Sequence, residues 1–342
     1  MWKGHRVSRI CRASALLLVS AAAILASIDG TVINRTTGKH QAGVNLSLIK
    51  PGQQGMQMIS TASSDASGRF RFEKDQPGGG PQLLQAVYKG VNYNKLMTPN
   101  IPTENVEVDV YEATKSPAVA HVAQQMMVFE PNLSQLAVSE TVIVQNSSNT
   151  TYNNEALGAL RFYLPPAANG QVRINAQGPQ GMPLPRPAEK TTEEDIFKVN
   201  FPIKPGETEF EVNYVLPVGS PFTFHGRLVD VKGMAAGPLR LIAPPGVTLA
   251  GNDIQQVGTE PKTQATIYNV TAAGNFSVDV TGTGALHPDD ASSQQDSDAP
   301  QVTEGEPRIY AHLPWLLTLA FSILGIGLLI LYRTGSQTEP RA

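Results

Sequence analysis

The stretch Leu313-Pro-Trp-Leu-Leu-Thr-Leu-Ala-Phe-Ser-Ile-Leu-Gly-Ile-Gly-Leu-Leu-Ile-Leu-Tyr332 constrains this chain more than any other. It runs for 20 residues without a charge, the length an α-helix needs to cross the hydrocarbon core of a bilayer. Trp315 stands near one end and Tyr332 at the other, with Arg333 directly after, the arrangement of interfacial aromatic belts and a flanking cation. The pattern predicts a transmembrane helix over 312–332 and a short cytoplasmic tail over 333–342. Thr318, Ser322 and Gly325 fall near one face of that helix, a spacing that permits close helix–helix contact.

The other end of the chain agrees. Lys3, Arg6, Arg9 and Arg12 precede the apolar run Ala13–Ala26, and no acid lies among them. These are the positive and apolar regions of a secretory signal, predicted over 1–27. It is either cleaved near the small residues Ala23 and Ala26 or retained as an anchor. Positive charge stays on the cytoplasmic side, so the long middle of the chain is expected to be exported, periplasmic or extracellular.

Setting aside Lys3, Arg6, Arg9, Arg12, Arg333, Arg341 and Glu339 leaves 20 basic and 28 acidic residues. With net negative charge and no basic cluster, nucleic acid is excluded as an expected partner. The one cysteine, Cys11, lies in the signal segment. The exported part is therefore expected to be stabilised by packing and not by disulfides, as suits a bacterial envelope better than a eukaryotic cell surface. Asn-x-Ser/Thr triplets begin at Asn34, Asn45, Asn132, Asn146, Asn149, Asn269 and Asn275; a β protein rich in these residues accumulates such triplets by composition, and whether they carry glycans is left open.

Between the two apolar segments the periodicity is two, the period of a half-buried strand. Over 28–114, Ile28–Ile33, Gly43–Ile49, Met56–Thr61, Leu83–Tyr88, Val91–Leu96 and Val106–Tyr111 read as strands. Asp65-Ala-Ser-Gly68 reads as a tight turn, after which Phe70 and Phe72 share one face and Arg69 and Arg71 the other. Six or seven short strands at this spacing predict a β-sandwich. The segments Gly30-Thr-Val-Ile-Asn, Thr37-Gly-Lys, Gly43-Val-Asn-Leu-Ser-Leu and Asp65-Ala-Ser-Gly-Arg-Phe-Arg-Phe resemble the carboxypeptidase regulatory-like domains, transthyretin-like β-sandwiches. The resemblance covers about a quarter of the chain and implies a non-catalytic accessory module, with no substrate attached.

Residues 117–284 repeat the strand pattern at greater length and predict a second, Ig-like β-sandwich. There Pro179–Glu194 reads as a loop, and Lys204-Pro-Gly206 reads as a hairpin joining Ile196–Phe201 to Glu207–Leu216. Residues 285–311 are acidic and poor in apolar side chains. Such a segment buries too little surface to offset its chain entropy and reads as a disordered stalk. The expected architecture is thus all-β, two tandem β-sandwiches on one C-terminal transmembrane helix.

Catalytic signatures are missing. None of His5, His40, His121, His225, His287 and His312 is followed three residues on by Glu, as a carboxypeptidase-type zinc site requires, and no His-Glu-x-x-His or Gly-x-Ser-x-Gly occurs. His121 and His225 sit in strand patterns, and Asp289, Asp290, Asp296 and Asp298 in the stalk lack the Gly and Glu of a calcium loop. No catalytic, cofactor-binding or metal residue is therefore assigned, and no cofactor. The expected function is non-enzymatic: a membrane-anchored envelope protein presenting sandwiches to other envelope or membrane proteins, as an accessory or assembly subunit. The alternative is a module that binds glycan or cell wall. Both tryptophans, Trp2 and Trp315, lie outside the expected sandwiches, which weighs against the alternative, since Trp is favoured on binding surfaces.

Overall fold

The computed structural model describes residues 27–52, 55–72, 80–98, 101–217 and 222–286. The predicted signal, the transmembrane and tail segments and nearly all of the stalk lie outside them. Among the described residues no helix is long and apolar enough to cross a membrane, and the fold is all-β, with three-residue 3-10 turns at Pro117–Val119 and Pro166–Ala168.

The first part contains β1 (Ile28–Asn34), β2 (Lys39–His40), β3 (Asn45–Gly52), β4 (Gly55–Ser63), β5 (Arg69–Phe72), β6 (Gln82–Tyr88), β7 (Val91–Met97), β8 (Val106–Val110) and β9 (Ala113–Thr114). Strand β1 pairs antiparallel with β2 and β5 and parallel with β8, while β4-β3-β6-β7 form a second sheet. Alternate residues of β1, β3, β5, β6, β7 and β8 enter one apolar cluster that includes Val32, Leu46, Leu48, Phe72, Leu84 and Val110. Gly30 is required where β1 meets β8: a Cβ there would lie 1.9 Å from the Val106 carbonyl oxygen. At the β6–β7 hairpin Lys89 and Gly90 both take positive φ, 51° and 75°, the backbone twist that a two-residue turn between antiparallel strands requires.

The turn at Asp65 is built as its sequence implies. Asp65 Oδ1 accepts the amides of Ser67 at 2.7 Å and Arg69 at 2.9 Å, and Gly68 takes φ +76°. Phe70 and Phe72 are buried behind it while Arg69 and Arg71 face water. Asp65→Ala removes both side-chain bonds from a solvent-facing turn. The expected loss is about 1 kcal/mol, read as a lowered denaturation midpoint, with Asp65→Asn recovering most of it.

The second part contains β10 (Ala120–Pro131), β11 (Gln135–Asn146), β12 (Thr151–Tyr152), β13 (Leu160–Tyr163), β14 (Val172–Gln177), β15 (Leu184–Arg186), β16 (Glu189–Lys190) and β17 (Ile196–Val199). It continues with β18 (Gly206–Pro217), β19 (Phe222–Arg227), β20 (Leu239–Ala243), β21 (Val247–Ala250), β22 (Ile254–Thr259), β23 (Thr266–Val270) and β24 (Asn275–Gly282). The large sheet has the order β15-β14-β18-β11-β10-β20-β23-β22, and two three-stranded sheets, β13-β17-β16 and β19-β24-β21, contribute to the same core. Its apolar residues run from Ala120 to Val280 and form a cluster separate from that of the first part.

Two sequence expectations change here. The segment 179–194 is not all loop, since β15 and β16 lie within it. Lys204-Pro-Gly206 is not a hairpin: β17 pairs with β13 and β16, whereas β18 pairs with β11 and β14. The chain crosses between sheets at this point. Pro202 and Pro205 lack the amides a continuing ladder needs. Buried Ile203 instead exchanges backbone bonds with Tyr152, each 2.9 Å.

The two cores are joined by hydrogen bonds as well as by the chain. Strands β9 and β12 pair in parallel, Ala113 with Thr151 and Thr114 with Tyr152. The Tyr93 hydroxyl lies 3.1 Å from the Tyr111 carbonyl and 2.9 Å from Thr151 Oγ1. Beside it, Glu112 accepts the Tyr88 hydroxyl at 2.6 Å and the Asn34 amide at 2.8 Å. The Tyr88 bond, with that of Asn34, holds the Glu112 carboxyl below its usual range. Burial and the same carboxylate push Tyr88 up to about 12.

Candidate interaction surface

The outer face of the β4-β3-β6-β7 sheet is the most distinctive surface of the described residues. Leu46, Leu48, Leu84, Ala86, Val91, Tyr93 and Met97 point into the core, so their alternating neighbours point out. The pairing register sorts those neighbours into rows across the sheet. One row is Met58, Ile49, Leu83 and Leu96. Beyond it, toward the β3–β4 turn, Pro51 faces Met56. On the other side come Thr61, Ser47, Gln85 and Asn94, then Ser63, Asn45, Val87 and Asn92.

None of these outward residues is charged. The polar ones partly bond each other, Gln85 to Asn94 at 3.0 Å and Ser63 to Asn45 at 3.1 Å. The apolar row is open at its two ends, Met58 63% exposed and Leu96 51%, with Ile49 and Leu83 half-buried between them; Met56 beside it is 57% exposed. Between Leu48 and Ile49 the register with β4 shifts, which leaves Ile59 as a bulged extra residue. Exposed single hydrophobes are ordinary, whereas large contiguous apolar patches are found at interaction sites.

The other sheet faces behave differently. On the β1 sheet the outward residues include Arg69, Arg71, Glu107 and Asp109, with Arg35 bonding Glu107 at 3.0 Å and Asp109 at 2.7 Å. The large sheet carries Glu207, Glu209 and Glu211 on β18 and Arg173 on β14. Such charges keep a sheet face solvated, and the β4-β3-β6-β7 face lacks them.

A concave region lies between β13, β19 and β24. It is a cleft of about 440 Å³ lined by Tyr163, Glu194, Asp195, His225, Arg227, Asn275 and Ser277, among others. His225 Nδ1 and Ser277 Oγ are 3.0 Å apart on paired strands. Asp253, the acid bonded to this pair, accepts the Ser277 backbone amide at 3.0 Å and not the imidazole, so the three do not form a nucleophilic triad, which needs the acid to orient the base. His121 is exposed on β10. Among the described residues no group of three His, Cys, Asp or Glu is arranged to hold a metal ion.

Two ionisable groups, one buried and one half-buried, escaped the sequence reading. Glu140 is 2% exposed among the apolar residues of β11, and its carboxylate accepts one bond, from the Gln125 amide. Burial pushes its pKa up to about 7, against the smaller opposite pull of Gln125. Lys204 lies at the junction with its amine 5.1 Å from the centre of the Tyr93 ring; burial pulls it down to about 8. Of the Asn-x-Ser/Thr triplets, those at Asn34 and Asn146 begin on buried residues. The Asn34 amide bonds Gln41 and Glu112, and that of Asn146 bonds the carbonyls of Thr150 and Ile203.

No protein-family model matches the chain, and no curated protein matches it. Solved structures similar to it include an M1 zinc metallopeptidase from Deinococcus radiodurans and a mutant of the same enzyme, at 12% and 13% identity and TM-scores of 0.27. Each alignment covers 47% of this chain and 42% of the peptidase, so the chain spans less than half of those structures. A likeness of that degree carries no argument about activity.

Proposed function

We propose that this chain is a non-enzymatic, single-pass membrane protein of the bacterial envelope, whose exported part consists of two β-sandwiches presented for protein–protein contact. In this reading the first sandwich is the carboxypeptidase regulatory-like, transthyretin-like one and the second is Ig-like. The protein then acts as an accessory or assembly subunit of a membrane complex. The observation that carries the reading is the uncharged outer face of β4-β3-β6-β7 with its apolar row Met58, Ile49, Leu83 and Leu96. The apolar segment at 313–332 supports the anchor, and the acidic stretch before it supports a tether whose reach, for about 25 residues, is on the order of 25–30 Å.

The test is a photo-crosslinking residue placed at Leu96 in the full-length chain in its native membrane. A stoichiometric protein adduct that is absent when the probe stands at Arg71, on the charged sheet, is the expected result. Equal labelling from both positions, or none from either, sinks the reading. The alternative, glycan or cell-wall binding, draws support from the polar cleft beside Tyr163 and Arg227. Retention on purified wall material that Arg227→Ala abolishes would favour it.

A further inference from the structure

We propose that β4 pairs edge to edge with β4 of a second copy of this chain, joining two four-stranded sheets into one. The inference rests on the reading of this sheet as a contact surface and names its occupant. The two edges of the sheet differ. At the β7 edge, Lys95 reaches across to donate to the Glu107 carbonyl on β8 at 2.8 Å, tying that edge to the opposing sheet. At the β4 edge, no strand among the described residues pairs with Gly55–Ser63 on the side away from β3.

Natural edge strands are guarded against such pairing by Lys, by Pro or by short length. Strand β4 spans nine residues, Gly-Met-Gln-Met-Ile-Ser-Thr-Ala-Ser, with no charge and no proline. Its one guarding feature is the bulge at Ile59, and that places an apolar residue on the edge.

The absence of charge on β4 fits a second copy as the occupant. Two-fold antiparallel pairing sets residue i of one strand opposite j of the other and j opposite i. Any charge near the axis then approaches its own duplicate, and like charges directly opposite destabilise a pair. An uncharged strand meets that requirement. Pairing about Met58 also carries the row Met58–Ile49–Leu83–Leu96 into the same row of the copy and covers part of the exposed Met56 and Met58 side chains. A single strand pair buries less than the roughly 800 Å² per partner of a stable interface. The contact is therefore weak between free molecules and becomes populated where both are held on one surface at raised effective concentration.

The experiment uses the full-length chain with Cys11→Ser, so that each introduced cysteine is the only one. Met58→Cys is expected to give disulfide-linked dimers in native membranes at least ~10-fold faster than Asn92→Cys, which lies on the same face at the β7 edge. Adding Ile59→Lys or, separately, Thr61→Lys should abolish the difference while the circular dichroism stays that of the parent. Equal rates from Met58 and Asn92, or dimers that survive both lysines, overturn the inference. A chain that stays monomeric while a probe at Leu96 captures a different protein also overturns it, and leaves the contact-surface reading standing. Failure of both probes removes the two together.

Discussion

Phe224→Ala is expected to lower the stability of the chain by about 3–5 kcal/mol, a fall in melting temperature on the order of 10 °C. Phe224 is fully buried on β19, with its ring 4.9 Å from that of Phe129 in an edge-to-face contact and 6.1 Å from that of Phe276. Phe129 belongs to β10 of the large sheet and Phe276 to β24, so the one ring bridges two sheets of the second core. Strand β24 cannot move in to fill the space. Phe276 already lies against Gly226, where a Cβ would come within 2.2 Å of its ring. The cavity left by alanine therefore persists, and cavities that cannot collapse give the upper end of the range. The exposed neighbour Thr223→Ala, which loses only a surface bond to Asp279, serves as control at about 1 kcal/mol or less. Comparable losses from the two variants in thermal unfolding would show that Phe224 does not hold the sheets together. Because His225 and Arg227 alternate with Phe224 on the same strand, the variant should also disorder the polar cleft.

This dependence on tertiary contact explains which features the sequence disclosed. Alternation in Phe210-Glu-Val-Asn-Tyr-Val-Leu216 is a local property, and it located β18 to within a residue or two. The same holds for Arg69-Phe-Arg-Phe72 and for the Asp65 turn, whose acceptor and positive-φ glycine are adjacent in the chain. Pairing is not local. Nothing in Ile196–Val199 reveals that it joins β13 and not β18, and the parallel partners β1 with β8 and β10 with β20 lie far apart in sequence. The short strands β15 and β16 lack apolar alternation, so they were invisible until their neighbours were placed. The uncharged face was half legible. Asn45, Ser47 and Ile49, and Leu83, Gln85 and Val87, show charge-free outward positions strand by strand, but only the register assembles them into a row. Glu140 was masked by its chemistry, because an acid at the centre of Leu-Ala-Val-Ser-Glu-Thr-Val-Ile-Val reads as a solvent-facing interruption. Alternation with Leu136, Val138, Val142 and Val144 places it inside.

That buried acid sets the second large effect, a stability that falls between about pH 4.5 and pH 7. Burial pushes the Glu140 carboxyl up to about 7 in the folded chain, against an ordinary value of 4.5. Between these values the unfolded chain has released the proton and the folded chain retains it. Stability then declines as pH rises, because the unfolded state binds fewer protons. The penalty is absent below about 4.5, fully present above about 7, and amounts to about 3 kcal/mol at about 1.36 kcal/mol per pH unit of displacement. The surroundings offer the carboxylate little relief. Gln125 supplies its one hydrogen bond, and Tyr214 on β18, whose hydroxyl has no bonding partner, is itself held neutral by burial and by the nearby Glu140 charge. Glu140→Gln keeps the shape and the acceptor and removes the ionisation. It should raise stability by about 2–3 kcal/mol at pH 8, and by little at pH 4, where the native carboxyl is already neutral. Thermal unfolding of parent and variant at both values reads the difference directly. A variant less stable than the parent at pH 8 would mean that the charged form is held by contacts beyond Gln125. A gain of equal size at both pH values would trace the effect to packing and not to the proton.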